Sequence, residues 1–200
     1  KLKMIYISHR VNTIEQLKTT PENFGVEIDL RESGNRIILQ HDPFTPGEDF
    51  ENYLKHYKHE MMILNIKSER IEHKAKELVE KYKIKDYFFL DSSFPMIFLL
   101  SNQGEKNVAL RLSEYEGMDT LINMAGKVKW VWIDCFTKIP VEKKDIEKIK
   151  ALGYKTCFVS PELQGRPDDV EKYIKHIQDK GIYFDAVCSK QHMMEKWMNL

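Results

Sequence analysis

Eight short apolar runs, each followed by an amphipathic stretch, restrict the fold of this chain more than any other feature. The runs cover residues 3–9, 25–31, 61–67, 87–92, 107–113, 130–135, 156–159 and 186–189. All are rich in Ile, Val, Phe, Tyr or Trp and are four to seven residues long, which suits strands covered on both faces. The stretches between them carry apolar residues at helical spacing, over 14–20, 48–57, 69–82, 96–101, 119–125, 144–152, 167–180 and 192–198. Asn12 or Thr13 is placed to cap the first helix and Pro95 to open the fourth, while Gly153 and Gly181 would end the sixth and seventh. Eight such units predict an α/β chain folded as a compact (β/α)8 TIM barrel. Its loops must be lean, because 200 residues fall short of the ~250 usual for that architecture. A doubly wound open sheet is the alternative, but no glycine-rich phosphate loop follows an early strand. With no linker, repeat or low-complexity tract, residues 1–200 read as one domain.

One irregularity bears on the chemistry. Ser33-Gly34-Asn35 separates the second run from another β-prone run at 37–41, and such residues between two strands signal a hairpin. The resulting ribbon would bring His41 back toward the strand that carries Glu27 and Asp29.

Lys and Arg total 31, Asp and Glu 31, and the formal net charge is zero. A neutral chain has no general pull toward nucleic acid or an anionic bilayer, so anion binding must come from a local site. No stretch approaches the ~20 apolar residues of a membrane span, and the apolar start is too short for a signal peptide. Cys135, Cys157 and Cys188 are odd in number and widely separated, which predicts buried thiols rather than disulfides or a zinc site. A cytoplasmic location is expected.

Along 25–31 the side chains alternate, with Val26, Ile28 and Leu30 on one face and Glu27, Asp29 and Arg31 on the other. Three charges on a face fit for burial need partners. A divalent cation is one answer, since two carboxylates two residues apart offer hard oxygens to Mg²⁺ or Ca²⁺. A buried ion-pair network of Glu27 with Arg31 or Lys67 is the other. His9 ends the first run, where a barrel builds its site. Arg10 beside it can clamp phosphate oxygens, and His41 supplies a second imidazole for proton transfer. Arg111, Glu114, Asp134 and Glu162 fall at later strand ends and read as surface ion pairs before substrate contacts. Met193, Met194 and Trp197 read as core or a docking face, and residues 43–60 as a small loop over the site.

The order His9-Arg10, Glu27-x-Asp29, His41-Asp42, then Lys67 on the next strand resembles the glycerophosphodiester phosphodiesterase family, related in fold to the phosphatidylinositol-specific phospholipases C. Asp91-Ser92-Ser93-Phe94 and residues 181–189 extend the likeness. The resemblance implies a (β/α)8 barrel with a divalent metal at its strand ends. It implies His9 and His41 as general base and acid, Arg10 and Lys67 as phosphate holders, and Asp42 as an orienting group. Glu27, Asp29 and the residue at 65 would be metal ligands. In that chemistry a hydroxyl beside the diester attacks phosphorus, the alcohol leaves, and water opens the cyclic phosphate.

Three positions differ from the family pattern. Val11 replaces the usual glycine, Phe158-Val159-Ser160-Pro161 stands for Trp-Thr-x-Asn, and Asn65 replaces a third acidic ligand. An amide oxygen still suits Mg²⁺ or Ca²⁺ with one negative charge fewer, and Glu69, in step with Asn65 and Lys67, is a candidate to restore it. The expectation is a metal-dependent phosphodiesterase acting on a small-molecule or head-group phosphodiester. The alternative is a barrel that binds a phosphate-containing ligand without efficient turnover. Oligomeric state is open.

Overall fold

In the computed structural model, which describes residues 3–200, all eight apolar runs are strands and they pair in parallel with one another. The chain runs β1 (Ile5–Ser8), α1 (Ile14–Thr19), β2 (Gly25–Ser33), β3 (Arg36–Leu39), β4 (Glu48–Asp49), α2 (Phe50–Leu54) and β5 (Met62–Ile66). It continues α3 (Glu72–Lys81), β6 (Tyr87–Leu90), α4 (Phe94–Asn102), β7 (Ala109–Leu112), α5 (Asp119–Asn123) and β8 (Trp130–Ile133). It ends α6 (Lys143–Ala151), β9 (Lys155–Val159), α7 (Val170–Lys180), β10 (Ala186–Ser189) and α8 (Met194–Met198).

The result is a mixed α/β fold around a strongly curled sheet. Ladders join β6 to β5, β2, β1, β10, β9, β8 and β7 in turn. Between β6 and β7 the pairing thins to one bridge, Phe89 opposite Val108, with the Phe89 N–H donating to Asn107 O at 2.9 Å. Val108 lies just before β7 begins, so the expected full barrel lacks a continuous ladder at this seam.

Strand alternation divides the core into two layers. Val26, Ile28, Leu30, Leu64, Phe89, Val131 and Phe158 face outward and pack with Leu17, Ala75, Val79, Ile146, Ile177 and Trp197 of the helices. Ile7, Ile63, Phe88, Ala109, Trp132, Cys157, Ala186 and Cys188 fill the inside. Gly25 belongs to that inner face, where a Cβ would lie 2.9 Å from Met61 O and 3.0 Å from Ile7 Cγ1. The three cysteines are buried and free. No helix among the described residues is long and apolar enough to cross a membrane.

The ribbon expected after the second run forms, with β2 and β3 pairing antiparallel from Leu30↔Leu39 to Ser33↔Arg36. The helix expected over 48–57 is shorter. Glu48 and Asp49 pair with Leu39 and Ile38 as a strand, and Asp49 then caps α2 through Asn52 N at 2.9 Å. The helix expected from 69 begins at Glu72, because Arg70 takes a left-handed conformation, φ 71°. The stretch from Pro167 opens with a 3-10 turn before α7.

Candidate active site

His9, Glu27, Asp29, His41, Asn65 and Lys67 gather at the C-terminal ends of β1, β2, β3 and β5. The alternation of β2 points Glu27 and Asp29 inward, and each is almost wholly buried. Glu27 is the hub. One carboxylate oxygen accepts the Arg10 N–H at 2.8 Å and the other accepts Asn65 Nδ2–H at 2.9 Å, with His9 Nε2 at 3.7 Å from the former. The first of these bonds explains the backbone at Arg10. Its left-handed φ of 53°, unfavourable by about 1–2 kcal/mol for a residue with a side chain, turns its N–H onto the buried carboxylate.

Asp29 is held differently. Asn12 Nδ2 donates to Asp29 Oδ2 at 2.8 Å, and Asp29 N donates back to Asn12 Oδ1 at 2.9 Å. This reciprocal pair is the site contact that the sequence hid. Asn12 competes with Thr13 as a helix cap, and Thr13 makes the cap, bonding Gln16 N in a capping box. Lys67 Nζ stands 3.7 Å from Asp29 Oδ1 and 3.7 Å from Asp91 Oδ2. The network of Glu27 with Arg31 or Lys67 does not form. Arg31 instead donates to two carbonyls, of His41 at 2.7 Å and of Lys67 at 3.1 Å, tying the ribbon to the end of β5.

His41 hangs from that ribbon. Its Nδ1 is 2.8 Å from Asp42 Oδ1, and its Nε2 is 2.7 Å from Arg10 Nη2. A guanidinium only donates, so Nε2 accepts and the ring proton sits on Nδ1, donating to Asp42. That bond to His41 holds the Asp42 carboxyl below its usual range. Burial lowers the His9 pKa to about 3, with the charges of Arg10, Lys190 and Lys67 adding to the effect. Burial pushes Glu27 the other way, above the usual carboxylate range, and the charge of Asp29 adds to it. A neutral imidazole therefore faces a carboxyl reluctant to ionise, and their 3.7 Å contact is not a strong ion pair.

Two buried oxygens lack a hydrogen-bond partner at this point, Asp29 Oδ1 and Asn65 Oδ1, the former having only the 3.7 Å contact to Lys67. Unpaired buried oxygens are costly, and with the Glu27 carboxylate they make a hard-oxygen set that fits Mg²⁺ or Ca²⁺. Among the described residues no cluster of three His, Cys, Asp or Glu side chains could hold a metal ion, so the set depends on the Asn65 amide oxygen beside the two carboxylates. Glu69, the candidate for an added charge, has one carboxylate oxygen accepting Ser93 Oγ–H at 2.9 Å.

No protein-family model and no curated protein matches this sequence. Solved structures do. A glycerophosphodiester phosphodiesterase from Agrobacterium tumefaciens str. C58 superimposes with a TM-score of 0.67 at 16% identity, over 94% of this chain and 97% of that one. A glycerophosphoryl diester phosphodiesterase from Parabacteroides distasonis ATCC 8503 gives a TM-score of 0.69 at 13% identity, over 98% and 86%. This chain has the fold of the glycerophosphodiester phosphodiesterases.

The remaining strand-end polar residues are less superficial than surface ion pairing implies. Arg111 is half-buried and tied to Glu116 at 2.7 Å, Asp91 at 2.9 Å and Asp134 at 3.1 Å. Asp134 and Glu162 are buried. Glu162 accepts Ser189 Oγ–H at 2.5 Å, Lys190 N–H at 3.0 Å and the Ser160 hydroxyl, while Trp197 Nε1–H reaches Ser160 Oγ at 2.8 Å. Glu114, in the turn after β7, accepts the Thr137 hydroxyl at 2.7 Å. Met194 and Trp197 are core, as expected. Beside Lys67, a groove of about 650 Å³ runs under residues 43–46 between Arg31 and Glu69.

Proposed function

We propose that this chain hydrolyses phosphodiesters of the glycerophosphodiester type, with its curled sheet acting as a (β/α)8 barrel sealed at the Phe89–Val108 bridge. The observation that carries the reading is the Arg10 junction: its N–H binds Glu27, its guanidinium binds His41, and its chain neighbour is His9. Two imidazoles thus flank one phosphate-binding group beside a buried carboxylate pair.

Arg10 and Lys67 bind the phosphate oxygens, and a diester anion draws the Arg10 guanidinium off His41 Nε2. His9, neutral and half-buried, accepts the proton of the substrate hydroxyl as its oxygen bonds to phosphorus. An anion beside the ring raises its proton affinity from the low value of the free site. His41, protonated once Arg10 has moved and oriented by Asp42, donates to the oxygen of the departing alcohol as its bond to phosphorus breaks. The resulting cyclic phosphate is opened by water with the two roles exchanged. Glu27, Asp29 and Asn65 would hold Mg²⁺ or Ca²⁺, which would neutralise charge on the phosphoryl oxygens. His41 keeps a defined partner on each ring nitrogen, Asp42 and Arg10, which favours turnover over silent phosphate binding.

The test is hydrolysis of glycerophosphocholine and glycerophosphoglycerol with Mg²⁺ or Ca²⁺, by the native chain and by His9→Ala and His41→Ala. Each substitution should lower kcat by about 10²–10⁴. Activity that survives both would end the two-histidine scheme.

A further inference from the structure

The inward faces of β1 and β10 continue beyond their last paired residues. Ile7, Ala186 and Cys188 belong to the inner core, and the ladder runs Ile7↔Cys188, Ser8↔Ser189. The next residue on each strand is His9 and Lys190, one strand spacing apart at ~4.8 Å. His9 N donates to Ser189 O at 3.0 Å, which fixes the two ends against each other. Lys190 is then fixed a second time. The buried Glu162 carboxylate takes its N–H at 3.0 Å together with Ser189 Oγ–H at 2.5 Å. The consequence is an exposed ammonium on a rigid backbone at the wall of the site, whose charge helps keep the His9 imidazole neutral, after burial and Arg10.

Its surroundings set Lys190 apart from the other cations of the mouth. Arg111 has three carboxylates, Lys67 has Asp29 and Asp91, Arg31 has two carbonyls and Arg10 has His41. Among the described residues the Lys190 ammonium has no carboxylate within ion-pairing distance, although its own N–H is bound by one. The scissile phosphate of a diester carries a single charge, and Arg10 and Lys67 already face it. An unpaired lysine one strand further round the wall is surplus to that phosphate and placed for a second anion.

We propose that Lys190 forms an anion subsite beside the phosphate site, so that the protein prefers phosphodiesters bearing a second anionic group, carboxylate or phosphate, on one of their alcohols. This rests on the phosphodiester reading above and names the substrate class within it.

A matched pair of ligands tests the subsite. Glycerophosphoglycerate and glycerophosphoglycerol differ by a carboxylate in place of a hydroxymethyl group, and calorimetry gives the affinity of the full chain for each at fixed ionic strength. The native protein should favour the acid by about tenfold, the discrimination available to one charge-assisted hydrogen bond. Lys190→Met keeps the length of the stem and should bring the ratio to within roughly twofold of unity, and Lys190→Glu should invert it. Lys190→Arg should retain the preference. A native ratio near one, a preference that persists in Lys190→Met, or failure of either ligand to bind would overturn the subsite. Turnover of the same two ligands separates the levels. Selective binding without hydrolysis removes the enzyme reading and leaves Lys190 its role, whereas hydrolysis without selectivity does the reverse.

Discussion

Replacing Asn65 by Asp tests the charge logic of the site, because it puts a carboxylate where an amide now donates to Glu27 at 2.9 Å. Were both carboxyls ionised at that separation, they would repel by about 6 kcal/mol at an effective dielectric of 20, and burial already disfavours the ionised form of Glu27. The pair has a cheaper escape, which is to keep the new carboxyl protonated and still donating to Glu27. Holding a proton on a carboxyl of ordinary pKa near 4 costs about 1.4 kcal/mol per pH unit, so about 4 kcal/mol at pH 7 and about 1.5 kcal/mol at pH 5. The smaller cost prevails, and it sets the sign. A folded carboxyl that holds its proton above the unfolded pKa makes the variant lose stability as pH rises, relative to the native chain. Urea denaturation in EDTA should therefore show Asn65→Asp destabilised at pH 7 and largely recovered at pH 5. Millimolar Mg²⁺ should raise the stability of the variant more than that of the native protein, because it adds a negative ligand to the proposed site. A loss that is equal at both pH values would refute the Asn65–Glu27 contact as the source. An Mg²⁺ response no larger than native would refute residue 65 as a ligand.

Two further substitutions probe the supports of the site. Tyr53 Oη–H donates to Val11 O at 2.7 Å from full burial, so Tyr53→Phe orphans the carbonyl of the His9–Asn12 turn. That should cost about 1–3 kcal/mol in a urea titration; a change below experimental error would show that water replaces the bond. His9 holds no proton in the fold until about pH 3, whereas the unfolded chain binds one below ~6.5, so acidification favours unfolding. His9→Phe removes this penalty, and its stability relative to native should rise by about 2–3 kcal/mol between pH 7 and pH 4.5. A constant difference across that range would mean the imidazole is not sheltered.

What could be read from the residues in advance depended on whether a signal was local. Strand alternation at 25–31 told which side chains face inward, and a hairpin signal at 33–35 brought His41 back beside them; both are properties of a few consecutive residues. The chain order of His9, Glu27, Asp29, His41 and Lys67 then assembled the site. Asn12 escaped because it and Thr13 are equally good caps on paper, and only the 17-residue step to Asp29 in space decides between them. Glu162 escaped for a similar reason. A glutamate after Ser-Pro reads as solvated until Ser189, Lys190 N–H and Trp197, all distant in sequence, close around it. The split of the 48–57 helix was hidden too, since Glu48 and Asp49 are poor strand formers that pair only because β3 offers them an edge.

The inner faces of the strands show why so much charge is tolerated here. On β1, β6, β8 and β10 the inward residues are apolar at the base, with Ile7, Phe88, Trp132 and Cys188 in the inner core. On β2 they are Gly25, Glu27, Asp29 and Arg31, so this strand contributes no apolar side chain to the interior. Its burial comes wholly from the outer face, where Val26, Ile28 and Leu30 are fully covered by the helical layer. Covering a Val, Ile or Leu is worth about 1.5–3 kcal/mol each, enough to anchor β2 while its other face carries two carboxylates. Those carboxylates are in turn held by donors from outside the strand, Arg10 N–H, Asn12 and Asn65. Stability and chemistry are thus assigned to opposite faces of one strand. Substitutions at 26, 28 or 30 should change folding before the site, and substitutions at 27 or 29 the site before folding.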